Sequence, residues 1–406
     1  MTPVSTSTST STSTSTTPGN STTTTVAPAA TAIPSAVEIP GGADLYADPP
    51  PAAGTTPGTL LRFQRLDPLP GAPGSLWRVM YTSGAAADVS EVVTGMVRVP
   101  AGAPPAAGWP TISWAHGTTG SADHCAPSRA LDYLPVPDPM VADGFVVAST
   151  DYPGLGTPGL HPYLDGATEG SSVVDIVEAA AQLPGVLLSG DYAVWGHSQG
   201  GHAALFAREL AASRSPQRRL VGTVAIAPPA LLRDSLTAIL TLQPKGFAAL
   251  TLAGIASRHP DARLSDILVP EAISAIDQTI EKGCKLHVDQ ALMLFGASNV
   301  VVAPPNAVEP WRTLLDRSEP GMTAGTGPLL LVHSVDDRTV PEVMSAVVKG
   351  RTCGRGEPTL RWLNASGGHS GVVGDTYPAT RQWVLDRFAG LPAPTSCGSP
   401  DSPSPR

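Results

Sequence analysis

No run in this chain approaches the roughly 20 uninterrupted apolar residues that a membrane-spanning helix requires. Its opening residues also lack the charged segment and apolar core of a signal peptide. C-x-x-C and H-E-x-x-H are both missing, so zinc chemistry has no support in the sequence. Charge is sparse, at 15% of 406 residues, and the net value of −9 is acidic. That balance argues against nucleic acid or an anionic membrane as the main partner. The 41 glycines and 43 prolines follow no Gly-X-Y period, which excludes a collagen-like repeat. Cysteine is scarce: Cys125, Cys284, Cys353 and Cys397. An even number at wide spacing fits two disulfides in an oxidising compartment, with the connectivity open.

Hydrophobic residues make up 42% of the chain, enough for a sizeable core. The ends read differently. Residues 1–57 open with a Ser/Thr tract and continue Pro/Ala/Gly-rich, and residues 399–406 are again Pro/Ser-rich. Such composition cannot form a packed core, so both are expected to be disordered tails. Between them, the runs 59–66, 76–83 and 89–100 alternate apolar and polar residues, as antiparallel strands with one solvated face do. The runs 110–117, 145–151, 192–198, 221–229 and 328–337 are instead continuously apolar, as in a parallel sheet covered on both sides. Helices are expected over 168–183, 200–213, 341–350 and 378–390, with the last strand at 359–365. Residues 230–325 contain helix-like sequence and no central strand, which predicts a helical cap inserted between core segments 58–229 and 326–398.

The sharpest local signal is Gly196-His197-Ser198-Gln199-Gly200-Gly201. It follows the apolar run YAVW and opens an Ala-rich helix, the strand–turn–helix context that gives G-x-S-x-G its meaning. Small flanking residues let the chain turn sharply and expose the hydroxyl above a sheet. A serine hydroxyl is a weak nucleophile until a base takes its proton. In this chain order an acid follows a late strand, and a histidine follows the last one. The acid is read as Asp337, in the turn before the next helix, with Asp336 a turn or capping residue. The base is read as His369, in the loop Asn364–Gly371, while His197 and His202 are read as residues that pack or hydrogen-bond locally and His287 as a surface residue. The oxyanion of the tetrahedral intermediate needs donors: the N–H of Gln199, and one from Thr118 or Thr119 in the loop after ISWA. Residues 151–156 follow a strand at the same rim and could shape the entrance.

With WAHGTTG (114–120), CAPS (125–128), GHSQGG (196–201), DDRTVP (336–341) and GGHSG (367–371) in order, the chain resembles the secretory lipase family of the α/β-hydrolase superfamily over most of residues 60–398. The resemblance implies an α/β-hydrolase fold: a mostly parallel central sheet, helices on both faces and a helical cap. It also implies Ser198, Asp337 and His369 as a catalytic triad, and the pairings Cys125–Cys284 and Cys353–Cys397. The implied activity is hydrolysis of acylglycerols or fatty esters, with a short-chain esterase, polyester hydrolase or acyltransferase as alternatives and a non-catalytic binding module as the rival from another class. No metal or organic cofactor is implied. The expected partner is a small-molecule or lipid ester met at a lipid interface, and the expected setting is extracellular. An acidic residue expected near the oxyanion position is replaced by the Thr118-Thr119 pair.

Overall fold

A computed structural model describes residues 35–67, 73–84, 90–129, 137–242, 246–284 and 300–405. The Ser/Thr tract and His287 lie outside the described residues. Eleven described strands form one sheet in the order β1-β2-β3-β4-β6-β5-β7-β8-β9-β10-β11. They are β1 (Val37–Glu38), β2 (Leu60–Leu66), β3 (Ser75–Ser83), β4 (Glu91–Val99), β5 (Trp109–Ala115), β6 (Val146–Thr150), β7 (Leu188–His197), β8 (Arg219–Ile226), β9 (Leu329–Ser334), β10 (Thr359–Asn364) and β11 (Ser402–Pro403). The pairs β2–β3, β3–β4 and β4–β6 are antiparallel, and every pair from β6 to β11 is parallel.

The parallel strands bury both faces, which is why they read as continuous apolar runs. Alternate residues divide the core in two. Ile112, Trp114, Trp195, Val224, Ile226, Leu330 and Val332 meet Val372, Trp383 and Val384 of the helix Gly368–Phe388. On the opposite face Ala115, Tyr192 and Val194 meet Val173 and Val177 of the helix Gly166–Ala180 and Ala203 and Ala207 of the helix Gln199–Arg214. After β5 the chain steps to β6 on one side, then returns to β7 on the other. The loops leaving β5 and β7 therefore meet at a topological switch point, where open α/β sheets bind ligands.

Residues 232–317 contain the helices Leu232–Leu242, Gly246–Arg258, Pro270–Thr279 and Trp311–Arg317, and none of the described residues there joins the sheet. They carry their own core of Leu236, Leu250, Leu252, Ile255, Ile276, Trp311 and Leu315, closed from below by Tyr163 and Leu164. Glu319 clamps the neck: it accepts the N–H groups of Leu231 and Leu232 at 2.8 and 2.9 Å and pairs with Arg351.

Several expectations need correction. Residues 35–57 are no tail. Val37–Glu38 pairs with β2, and Leu45 and Tyr46 pack on Leu61 and Met80. This segment covers the face of the antiparallel strands that alternation had assigned to solvent, and β3 and β4 are buried on both sides along most of their length. Residues 399–405 likewise extend the sheet through β11, and Asp401 neutralises the buried Arg361 guanidinium. Neither end packs a core of its own; each is ordered by the edge it completes. The helix expected over 378–390 begins at Gly368 and runs through Pro378, whose missing N–H leaves the Gly374 carbonyl without its usual helical donor.

Candidate active site

The elbow is built by close backbone approach. Ser198 has φ 58° and ψ −121°, a conformation that L residues rarely adopt. It is held by its N–H donating to the Ile226 carbonyl at 2.9 Å. A Cβ on Gly196 would sit 2.0 Å from the Gly200 carbonyl oxygen, and one on Gly200 would sit 1.9 Å from that of Ala115. Only glycine fits at either position. The reward of this strain is geometric: Ser198 Oγ points away from the helix it begins and lies 2.8 Å from His369 Nε2.

His369 Nδ1 lies 2.7 Å from Asp337 Oδ2, completing a continuous relay Ser198–His369–Asp337. The other carboxylate oxygen of Asp337 accepts the N–H groups of Thr339 and Val340 at 2.8 and 2.9 Å. Burial opposes ionisation of Asp337, but hydrogen bonds from His333, His369 and the Val340 N–H outweigh it and hold the carboxyl well below its usual range. Asp337 is thus a fixed anion facing the imidazole. His369 stands in the first turn of the helix Gly368–Phe388 rather than in a loop, and Asp336 caps that helix by accepting the Gly368 N–H at 2.8 Å. The two adjacent aspartates divide the work: one orients the ring and the other fixes the helix that carries it.

Gln199 follows the nucleophile at the helix start, where its N–H is free of intrahelical partners and aligned with the helix dipole. Gly117 approaches from the β5 loop: a Cβ there would be 3.8 Å from that of Ser198. Thr118 follows, its hydroxyl 2.8 Å from the Tyr163 phenol, and Tyr163 borders the same cavity as Ser198. Thr119 Oγ1 is buried with no partner among the described residues. The cysteines pair as Cys125–Cys284 and Cys353–Cys397.

Sequence reasoning missed three contributors. His197 donates from Nε2 to the carbonyl of His369 at 2.8 Å, bracing the base's backbone from 172 residues away instead of packing locally. Burial, then repulsion from His369, pushes it down to about 4, so it braces as a neutral ring. His333 places Nε2 3.4 Å from Asp337 Oδ2, and Tyr163 places its hydroxyl against that of Thr118. Nothing local in the sequence marks these partners. Residues 151–156 do not form an entrance. Asp151 and Tyr152 are fully buried, Asp151 accepting Thr94 and Ser128 hydroxyls and the Ser128 N–H.

A cavity of about 70 Å³ opens on Ser198, lined by Leu164, Leu232, Leu236, Ile239, Phe247 and Met344 among others. The model of the secretory lipase family matches residues 131–396, well over half of the sequence. The chain belongs to that family. Lipase 6 of Candida albicans is 23% identical over 64% of this chain, a match that spans about three-fifths (59%) of that protein. A Mycobacterium tuberculosis relative described as a probable inactive lipase is 24% identical over 83% of this chain and 79% of its own length. Among solved structures, closed Candida antarctica lipase A superposes with a TM-score of 0.73 at 19% identity, covering 89% of each chain. The rice cell wall degrading esterase LipA from Xanthomonas oryzae does so at 0.66 and 21%, covering 82% of this chain and 98% of its own. These likenesses establish the α/β-hydrolase fold.

Proposed function

We propose that this chain hydrolyses carboxylic esters of fatty acids, acylglycerols among them, through an acyl-serine intermediate. The observation that carries this reading is the unbroken Ser198–His369–Asp337 relay opening directly onto an apolar cavity. Ser198 Oγ attacks the ester carbonyl as His369 Nε2 takes its proton, and Asp337 steadies the resulting imidazolium. The carbonyl oxygen, now negative, is met by the N–H of Gln199 and by Thr118, whose contact with Tyr163 favours it over Thr119. Collapse expels the alcohol, which leaves with the proton from His369. Water then attacks the acyl-serine by the same path, releasing the carboxylic acid and restoring Ser198. Two disulfides and the family's name support an extracellular setting.

The cavity supports a second reading, since about 70 Å³ suits a short acyl group and a short-chain esterase would use it. A Fusarium sporotrichioides relative named trichothecene C-3 esterase, 23% identical over 61% of this chain, supports breadth in the alcohol portion. The relative described as inactive raises the non-catalytic alternative, against which the intact relay speaks. The test is turnover of p-nitrophenyl esters from acetate to palmitate by wild type and Ser198→Ala. We expect the variant to lose at least about 10⁴-fold in kcat. A rate peaking at acetate or butyrate selects the esterase. No turnover of any ester by wild type, with no labelling by a fluorophosphonate, sinks both.

A further inference from the structure

Gln199 supplies an oxyanion donor from its backbone, yet its side chain turns away from the cavity into a cluster closed to solvent. Gln199, Glu169 and His202 are completely buried and His161 nearly so. The hydrogens in this cluster can be counted. His161 Nδ1 lies 2.9 Å from the Pro153 carbonyl and must donate to it, so Nε2 accepts from Gln199 Nε2 at 2.7 Å. The second amide hydrogen of Gln199 goes to Glu169 Oε1 at 2.7 Å, which also accepts the Leu164 N–H at 3.0 Å. His202 Nε2 lies 2.8 Å from the Ser318 carbonyl and must donate there, leaving a bare lone pair on Nδ1 of the neutral ring. That Nδ1 faces Glu169 Oε2 across 3.6 Å, and neither atom has another hydrogen-bond partner. Without a proton the two lone pairs repel in a site that water cannot screen. A single proton between them makes the contact attractive.

We propose that Glu169 is a positioning residue for the oxyanion hole: it shares one proton with His202 and, through the side chain of Gln199, fixes the first turn of the elbow helix. This rests on the reading of Ser198 and Gln199 given above. The same pair ties that helix to the neck of the cap, since His202 lies one turn beyond Ser198 and holds Ser318. Burial raises the Glu169 carboxyl above its usual range despite hydrogen bonds from His202, Gln199 and Leu164. Burial also holds His161 near 3, as a neutral acceptor. The titratable groups facing the cluster are His161 and Tyr152, with His116 and Arg258 beyond His161, and the ring of Phe206 flanks His202.

The experiment compares wild type, Glu169→Gln and Glu169→Leu on a short p-nitrophenyl ester, measuring kcat and KM separately at about pH 7. Glutamine offers an N–H to His202 where the shared proton stood. We expect Glu169→Gln to keep kcat within about threefold of wild type, because its amide N–H can take the place of the shared proton. Glu169→Leu should lose about 10- to 100-fold in kcat with KM changed by less than about threefold, because a displaced donor acts on the transition state. Wild-type kcat in Glu169→Leu would overturn the proposal. So would a Glu169→Gln variant that is as slow as the leucine variant. If Glu169→Leu does not fold, the glutamine variant decides alone, and a loss of more than about threefold in its kcat overturns the proposal. A wild type silent towards esters and fluorophosphonate would instead remove the serine-hydrolase reading itself, and this inference with it.

Discussion

At the residue scale, the site rests on side chains whose protonation is set by burial and then corrected by named partners. Asp337 is held as an anion by His333, His369 and the N–H groups of Thr339 and Val340, and its neighbour Asp336, exposed to water, serves only as a cap. Asp151 is the opposite case. Burial raises its carboxyl to about 6 in spite of the Ser128 and Thr94 hydrogen bonds. The folded state therefore binds that proton more tightly than the unfolded chain does. Its contribution to stability is complete below about pH 4 and is lost as pH rises through about 6. Asp151→Asn removes the titration while keeping an acceptor. Wild type should thus gain Tm relative to Asp151→Asn on moving from about pH 7 to about pH 4, as read by calorimetry; a constant difference would contradict the assignment.

At the scale of elements, the sharp turn from β7 into its helix depends on two carbonyls that tolerate no Cβ. Gly200→Ala would force the Ala115 carbonyl aside and should cost at least about 2 kcal/mol of stability together with most activity, read by urea unfolding and ester turnover. The cap helix Gly246–Arg258 divides its faces, with Leu250, Leu252 and Ile255 packed in the cap core while Phe247 and Thr251 border the cavity. Phe247→Ala should open that cavity and move the preferred p-nitrophenyl ester towards longer acyl chains; an unchanged chain-length profile would exclude Phe247 as a boundary of the acyl site. The strand–turn–helix elbow was legible because apolar strand, G-x-S-x-G and Ala-rich helix are adjacent in sequence. The helix start at Gly368 was not, because the Asp336 carboxylate that caps it comes from 32 residues earlier.

At the scale of the molecule, two disulfides hold segments that the chain alone connects loosely. Cys125–Cys284 joins the region behind the oxyanion loop to the cap across 159 residues, and Cys353–Cys397 fastens the C-terminal segment across 44. If chain entropy governs, replacing the first pair by alanine should cost about 1 kcal/mol more than replacing the second. Thermal unfolding of the two double variants measures this, and an equal or reversed order would show that native contacts dominate. The first pair should also lower kcat, because Cys284 bridges Gly120 beside the oxyanion loop, whereas the second should leave it unchanged.

The sequence by itself determined the continuous apolar runs of the parallel strands, the elbow, the order Ser198, Asp337, His369 and the helical character of the insertion. Each is written in neighbouring residues, as an apolar run or as a motif joined to its flanking elements. Tertiary structure alone decided that residues 35–57 cover the antiparallel strands, that residues 399–405 complete the far edge, and that His197 braces the base. It also decided that Glu169, His161 and His202 surround Gln199. Those outcomes depend on buried polar groups finding partners many residues away, and the need to satisfy a buried donor or charge leaves no local trace in the chain.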